Sequence, residues 1–258
     1  MIEKQPINSL TTDEQQAAVA AAYNGVAHCY DDAYRQKKSI AEDALILPRV
    51  KRLLRPKDRL IDLGCGTGFL LDHLSSVITS RFIRYIGVDI SEQMVRKAKE
   101  KHRYKDFHTG DMGDLSACNR TLRGAGLFVP STFDVAVSLF GSFSYPSDPH
   151  RVASEIYRVL RPGGRFLIMT LGRDYARRPS YILRNSGVSP NEYSSFDLKG
   201  IFRKFSNVRV QGMSRFVDDL SERLPQFAFN AYERIEAATI GKINPDSCYF
   251  LITTGEKH

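Results

Sequence analysis

Apolar residues in this chain gather in short blocks, separated by longer stretches where they recur every three or four positions. "RLIDLG" (59–64), "RYIGVD" (84–89), "FHTGD" (107–111), "FDVAVSLF" (133–140) and "RFLIMTL" (165–171) have the length of strands. The fourth is nearly all apolar, as a strand covered on both faces must be. The intervening stretches predict helices from about Thr67 to Val77, from Glu92 to about His102, and from Pro149 to Leu160. Asp148 caps the last of these, and proline occupies its first turn. The stretch leading to Ser131, with Gly124 and Gly126, reads as irregular. Strand and helix in alternation predict a doubly wound parallel sheet with helices on both faces. Ligands of such sheets sit beyond the carboxyl ends of the strands.

The flanks differ from this middle. Residues 12–35 read as a helix interrupted at Asn24-Gly25. Residues 39–54 read as a second helix, with Ser39 as its cap and Ile40, Leu45, Leu47, Val50, Leu53 and Leu54 toward one side. Pro48 is expected to disturb it. After the fifth strand, 172–194 reads as a loop or lid, 196–205 as a short helix, 208–216 as a strand and 221–241 as an amphipathic helix. A last strand at 248–255 is expected to pair with 208–216 in antiparallel fashion. The organisation predicted is an N-terminal helical lid (1–38) on one domain (39–258).

Composition narrows the picture only a little. The chain has 258 residues, 42% hydrophobic and 26% charged, which suits one soluble α/β domain. No apolar run reaches membrane-span length, and Met1 to Gln16 is too polar for a secretory leader. Four scattered cysteines (Cys29, Cys65, Cys118, Cys248) suit reduced thiols, so a cytoplasmic location is expected. The net charge of +8 admits a nucleic-acid partner. Most of it, however, falls on helix faces such as Arg96, Lys97, Lys99, Lys101 and Arg103, where solvated rows are the simpler reading. Arg173, Arg177, Arg178 and Arg184 fall in the segment read as a loop.

The chemistry concentrates at strand ends. "DLGCGTG" (62–68) turns the first strand into a helix, and Gly64, Gly66 and Gly68 allow close approach of a ligand. The spacing is GxGxG, not the dinucleotide GxGxxG, and taken alone it is equally a tight turn. Asp62 would repel a pyrophosphate and attract a cation. Asp89 ends the second strand where a carboxylate can accept from both hydroxyls of a ribose, or equally cap the helix after it. "GDM" (110–112) offers the Asp111 carboxylate to an exocyclic amine and the Met112 N–H to a ring nitrogen. Ile90 and Met94 could sandwich a ring, and Met94 could equally be core.

Together "LIDLGCGTGFL", "GVDISEQMV", "TGDMGDL", "FDVAVSLF" and "IYRVLRPGGRFLI" resemble the class I S-adenosylmethionine-dependent methyltransferases over about residues 40–171. The resemblance implies a seven-stranded Rossmann-like sheet with an antiparallel last strand. It implies S-adenosyl-L-methionine as cofactor, with Gly64, Gly66 and Gly68 beneath the methionine portion and Asp62 near its ammonium. It further implies Asp89 on the ribose, Ile90 and Met94 on the adenine faces, Asp111 with Met112 at the adenine edge, and Leu139 as a backbone neighbour.

The methyl acceptor is less legible. "SLFG" (138–141) stands where DNA amino-methyltransferases carry [DN]PP[YFW], and the Pro-Cys of cytosine-5 methylation is absent. "GDMGDL", "SLFGSFSY" and "YDDAY" instead resemble small-molecule enzymes, among them N,N-dimethyltransferases of amino sugars. That implies Tyr30 and Tyr34 in a lid over the cofactor, although they could equally pack an amphipathic helix. The departure after residue 172 leaves the acceptor open, with 172–200 and 217–246 as insertions on its side. Tyr34, Tyr145 and His150 are the candidate catalytic residues, with His28 a further candidate base, and no metal ligands are assigned. The expected activity is methyl transfer to N or O of a small molecule. The rivals are an RNA or tRNA methyltransferase, a non-catalytic cofactor-binding protein, and a nicotinamide oxidoreductase, which fits the fold but not Asp62 or the GxGxG spacing.

Overall fold

Continuous apolar strands make the centre of the molecule. A computed structural model describes residues 11–121, 126–173, 188–216 and 223–258. Its strands are β1 (Arg59–Leu63), β2 (Arg84–Asp89), β3 (Asp106–Thr109), β4 (Phe133–Ser138), β5 (Leu160–Gly172), β6 (Glu192–Tyr193), β7 (Ser206–Met213) and β8 (Phe250–Glu256). The sheet runs β3-β2-β1-β4-β5-β8-β7, with β6 paired beside the end of β5. The first five strands are mutually parallel. β8 is antiparallel to both β5 and β7, so the expected antiparallel pairing at the C-terminal edge is found. The two-residue β6 adds an eighth strand to the seven of the main path.

Alternation along β1 shows why these strands are apolar throughout. Leu60 packs into the layer with Leu45, Ile46, Val50 and Leu71, while Ile61 and Leu63 enter the opposite layer with Ile156, Val159 and Phe166. Each such side chain contributes about 1.5–3 kcal/mol when fully buried.

The helices are α1 (Thr12–Val26), α2 (Tyr30–Ala33), α3 (Lys37–Leu53), α4 (Phe69–Ser80), α5 (Glu92–Lys101), α6 (Leu115–Thr121), α7 (Pro149–Val159), α8 (Ser195–Ile201) and α9 (Gln226–Thr239). α1 begins with a reciprocal capping box between Thr11 and Glu14 and runs through Gly25, so the expected break falls a few residues later. α3 starts at Lys37, not at a Ser39 cap, and continues through Pro48. Ser39 is buried within its first turn. α6 occupies a stretch read as irregular. Asp148 caps α7 as expected, accepting from the Arg151 N–H at 3.0 Å. The expected loop arginines Arg177, Arg178 and Arg184, and the first residues of the helix expected at 221–241, lie outside the described residues. Among those described, no helix is long and apolar enough to cross a membrane.

Candidate functional site

The turn after β1 is built on backbone. The N–H groups of Gly64 and Cys65 both donate to the Val88 carbonyl, at 2.7 and 3.1 Å. That ties the turn to the end of β2. Gly64, Gly66 and Gly68 have φ of +74°, +53° and +97°, a region that side-chain-bearing residues rarely enter. A Cβ on Gly64 would overlap Ser142, and one on Gly68 would lie 2.8 Å from His102 Cδ2. Around Gly66 the nearest atom is Tyr30 Cε1, at 4.0 Å. Gly68 therefore packs and caps α4, while Gly66 keeps open space beside it.

Three acids stand at the strand ends. Asp62 is buried and accepts from the Tyr85 hydroxyl at 2.8 Å. Burial pushes its carboxyl up to about 7, against that hydrogen bond. Asp89 accepts from the Gly66 N–H at 2.8 Å and the Ser91 N–H at 2.9 Å. Burial raises it to about 6, and the two backbone bonds oppose the rise. Asp111 accepts from Gln16 Nε2 at 2.7 Å and the Gly113 N–H at 2.9 Å.

Residues near the N-terminus roof these acids. Asn24 Oδ1 accepts from Ser91 Oγ at 2.7 Å and the Gln93 N–H at 3.1 Å, and Lys97 Nζ donates to the His28 carbonyl at 3.0 Å. Thr67 Oγ1 and Lys101 Nζ both donate to Asp31 of α2. Four tyrosines sit under this roof in mutual contact. Tyr23 meets Tyr145 edge-on at 5.5 Å between centroids, and Tyr30 packs on Tyr34 at 4.9 Å.

Two cavities meet at the glycine turn. A narrow one, about 60 Å³, has Val19, Val88, Ile90, Met94 and Met112 as apolar walls and Asp89 and Asp111 at its polar positions. No lysine or arginine lines it among the described residues. Such a lining suits an uncharged ring system that bears hydroxyl and amine donors, and opposes phosphates. A wide cavity of about 680 Å³ continues past the turn toward α3 and α4. Tyr23, Tyr30, Gly64, Gly66, Ser142 and Tyr145 line both.

Most of the expected residues come together here. Tyr30, Gly64, Gly66, Asp89, Ile90, Met94, Asp111 and Met112 line the narrow cavity. Asp62, Leu139 and Tyr34 line the wide one, and Tyr145 stands at the junction. Two residues fall elsewhere. Gly68 supports the turn from behind, and His150 is exposed in the first turn of α7 and lines neither cavity. His28 is exposed as well, its Nδ1 turned back to the Gly25 carbonyl.

The wide cavity also exposes residues that sequence reasoning passed over: Lys38, Glu42 and Asp43 of α3, and His73 of α4. Burial pushes Glu42 up to about 7, with Lys38 and the Ser214 hydroxyl (2.8 Å to Oε1) opposing it. Asp43 rises to about 6, again by burial, opposed by His73. The run "KKSIAED" offered a weak signal, since its charges lie one turn apart on a helix whose apolar side is indistinct.

Comparison with known proteins agrees with this geometry. Residues 61–166 match a family model described as a methyltransferase domain. The chain is 34% identical over 126 residues to a demethylmenaquinone methyltransferase of Symbiobacterium thermophilum, covering 48% of this chain and 46% of that protein. It is 29% identical over 216 residues to a juvenile hormone acid O-methyltransferase of Bombyx mori, covering 73% and 74% respectively. The fold resembles a crystal structure from Thermotoga maritima named as a possible histamine N-methyltransferase. The TM-score is 0.61 at 19% identity, over 93% of this chain and 99% of that one. The chain spans less than half the length of two of the curated relatives it matches.

Proposed function

We propose that the chain is a class I S-adenosylmethionine-dependent methyltransferase that methylates a nitrogen or oxygen of a small molecule. The observation that carries this reading is the shared wall. A narrow cavity, with no lysine or arginine among its described lining residues, opens beside Gly64, Gly66 and Tyr145 into a cavity more than ten times larger. The cofactor supplies an electrophilic methyl group on a sulfonium sulfur.

The chain's own residues do the rest by positioning and exclusion. Asp89 receives the ribose hydroxyls, its two backbone donors leaving further lone pairs on each oxygen. Asp111 and Met112 meet the adenine edge, Ile90 and Met94 its faces. Gly64 and Gly66 underlie the methionine portion, with Asp62 close to its ammonium and Leu139 alongside. Tyr30, Tyr34 and Tyr145 would keep water from the junction of the two cavities, where cofactor and acceptor would meet. The acceptor then gives up one proton, and the raised Glu42 carboxyl of the wide cavity is suited to take it. Residues 11–38 serve as the lid, whereas no described residue of 172–200 or 217–246 lines either cavity. His150 takes no part, because it lines neither cavity.

Calorimetry with S-adenosylhomocysteine and NAD, followed by mass analysis of acceptors exposed to methyl-labelled cofactor, tests this. S-adenosylhomocysteine should bind, NAD should not, and one labelled methyl should appear in a small acceptor. Binding of NAD, or none of S-adenosylhomocysteine, would overturn the reading. The +8 charge keeps a tRNA acceptor as a second reading, and a steep salt dependence of binding to bulk RNA would favour it.

A further inference from the structure

The wide cavity carries charge that is unevenly matched. Lys101 binds Asp31 at 3.2 Å and also pairs with Asp72 of α4 at 2.5 Å, while Arg35 pairs with Asp32 at 3.2 Å. Lys38 lies next to Glu42 and 6.0 Å from the centroid of the Tyr249 ring. The cations of this cavity are therefore engaged with partners. Asp43 is served differently. Its ion-pair neighbour is His73, whose Nε2 stands 4.0 Å from Asp43 Oδ2.

That gap has a chemical meaning. His73 Nδ1 lies 3.1 Å from the Phe69 carbonyl, an acceptor, so Nδ1 carries the hydrogen. Protonated, the ring is the ion-pair partner that lowers the Asp43 carboxyl; neutral, it presents the Nε2 lone pair instead, and two acceptors then face each other across a distance too long for a direct hydrogen bond. A group with several N–H donors between them would satisfy both.

The walls around this pair are aromatic. Phe69 packs against His73 at 4.4 Å and edge-on to Phe140 at 5.0 Å, and Phe140 meets Phe250 at 6.2 Å. These rings offer apolar area to a hydrocarbon body, and their faces favour an ammonium over a carboxylate.

We propose that the wide cavity takes an amine-bearing acceptor with an apolar body, its ammonium anchored between Asp43 and His73. This rests on the methyltransferase reading for the word acceptor, but the anchor itself is a binding site and can be tested without turnover. A carboxylate-bearing molecule held by Lys38 is the opposing outcome.

The test uses the full chain and three matched probes, phenylbutylamine, phenylbutanol and phenylbutyrate, titrated calorimetrically near pH 7.5. The amine should bind about tenfold or more tighter than the alcohol, the increment of a charge-assisted hydrogen bond. Asp43→Asn should erase that preference while its affinity for S-adenosylhomocysteine, read in the same preparation, stays as in the parent. His73→Ala provides a second variant, and should weaken the amine less than Asp43→Asn does. Equal binding of the three probes, tighter binding of the carboxylate, or a preference that survives Asp43→Asn would overturn the anchor. Failure of the parent to bind S-adenosylhomocysteine would overturn the methyltransferase reading instead, whatever the amines do.

Discussion

The two cavities share a wall and are made from different materials. The narrow one is framed by backbone: a glycine turn bonded to Val88, strand-end carboxylates bonded to N–H groups, and a roof tied down through Gln16 and Asn24. The wide one is framed by side chains of α3 and α4 together with aromatic rings, and its acids Glu42 and Asp43 stand apart from the sheet. Backbone framing tolerates little change, because a main-chain path cannot shift without moving the strands it joins. Side-chain framing can be re-cut residue by residue. A fold built this way keeps one ligand constant and lets the other vary.

The largest effect should come from breaking the backbone side. Gly64→Val combines a positive φ with an overlap onto Ser142, and each cost alone is about 1–3 kcal/mol. Binding of S-adenosylhomocysteine should fall below detection, with a clear drop in Tm by calorimetry. Gly66→Ala sits in the same turn with open space around it, and should cost only the conformational part, about 1 kcal/mol. If the two variants behaved alike, close packing would not be what shapes the turn.

Next in size is Asp89→Ala. It removes the acceptor for the Gly66 and Ser91 N–H groups as well as the proposed ribose contact. Affinity for S-adenosylhomocysteine should fall by about one to two orders of magnitude, the worth of hydrogen bonds to a charged group. Phenylbutylamine should bind as before, since Asp89 does not line the wide cavity. A parallel loss of amine affinity would show that the two cavities are not independent.

The same contrast explains what could be read in advance. The five parallel strands announce themselves as apolar runs because both sheet faces are covered, and the acids that follow them stand at strand ends by necessity. Asp89 and Asp111 were therefore legible. Lys38, Glu42, Asp43 and His73 were not, because a charged residue on a helix reads as solvated unless a distant element covers it. Ser214, far along the chain, is what meets Glu42. His150 failed for the related reason that nearness in sequence to the β4 loop says nothing about which way α7 turns its first residues. The two residues of β6 are too few for any pattern, and Gly124 and Gly126 masked the helix just before them. The antiparallel edge was legible as a pairing of two alternating segments, although not the order that puts β8 between β5 and β7.

The smallest effect concerns the wide cavity without ligand. Glu42 has an ordinary value of 4.5 and is held up to about 7 when folded, by burial, against Lys38 and Ser214, with Asp43 and Glu236 adding to the rise. An acid whose folded value is raised keeps its proton in the native state after the unfolded chain has lost it. The native state then binds more protons than the unfolded one, so stability falls as pH climbs from about 4.5 to about 7 and levels off above. Asp62, held up to about 7, and Asp43 and Asp89, held up to about 6, push in the same direction. The parent protein should therefore lose Tm between pH 5 and pH 8, and Glu42→Gln should lose less of it. The difference should be at most about 2.5 kcal/mol, because nearly two units of the rise from 4.5 to about 7 fall inside this window, at about 1.4 kcal/mol each. Phenylbutylamine should oppose the parent's loss, because an ammonium beside Asp43 favours the ionised carboxyls that high pH creates. A parent whose stability rises across this range would mean that Glu42 and its neighbours carry their charge in the folded state, matched by cations already in place.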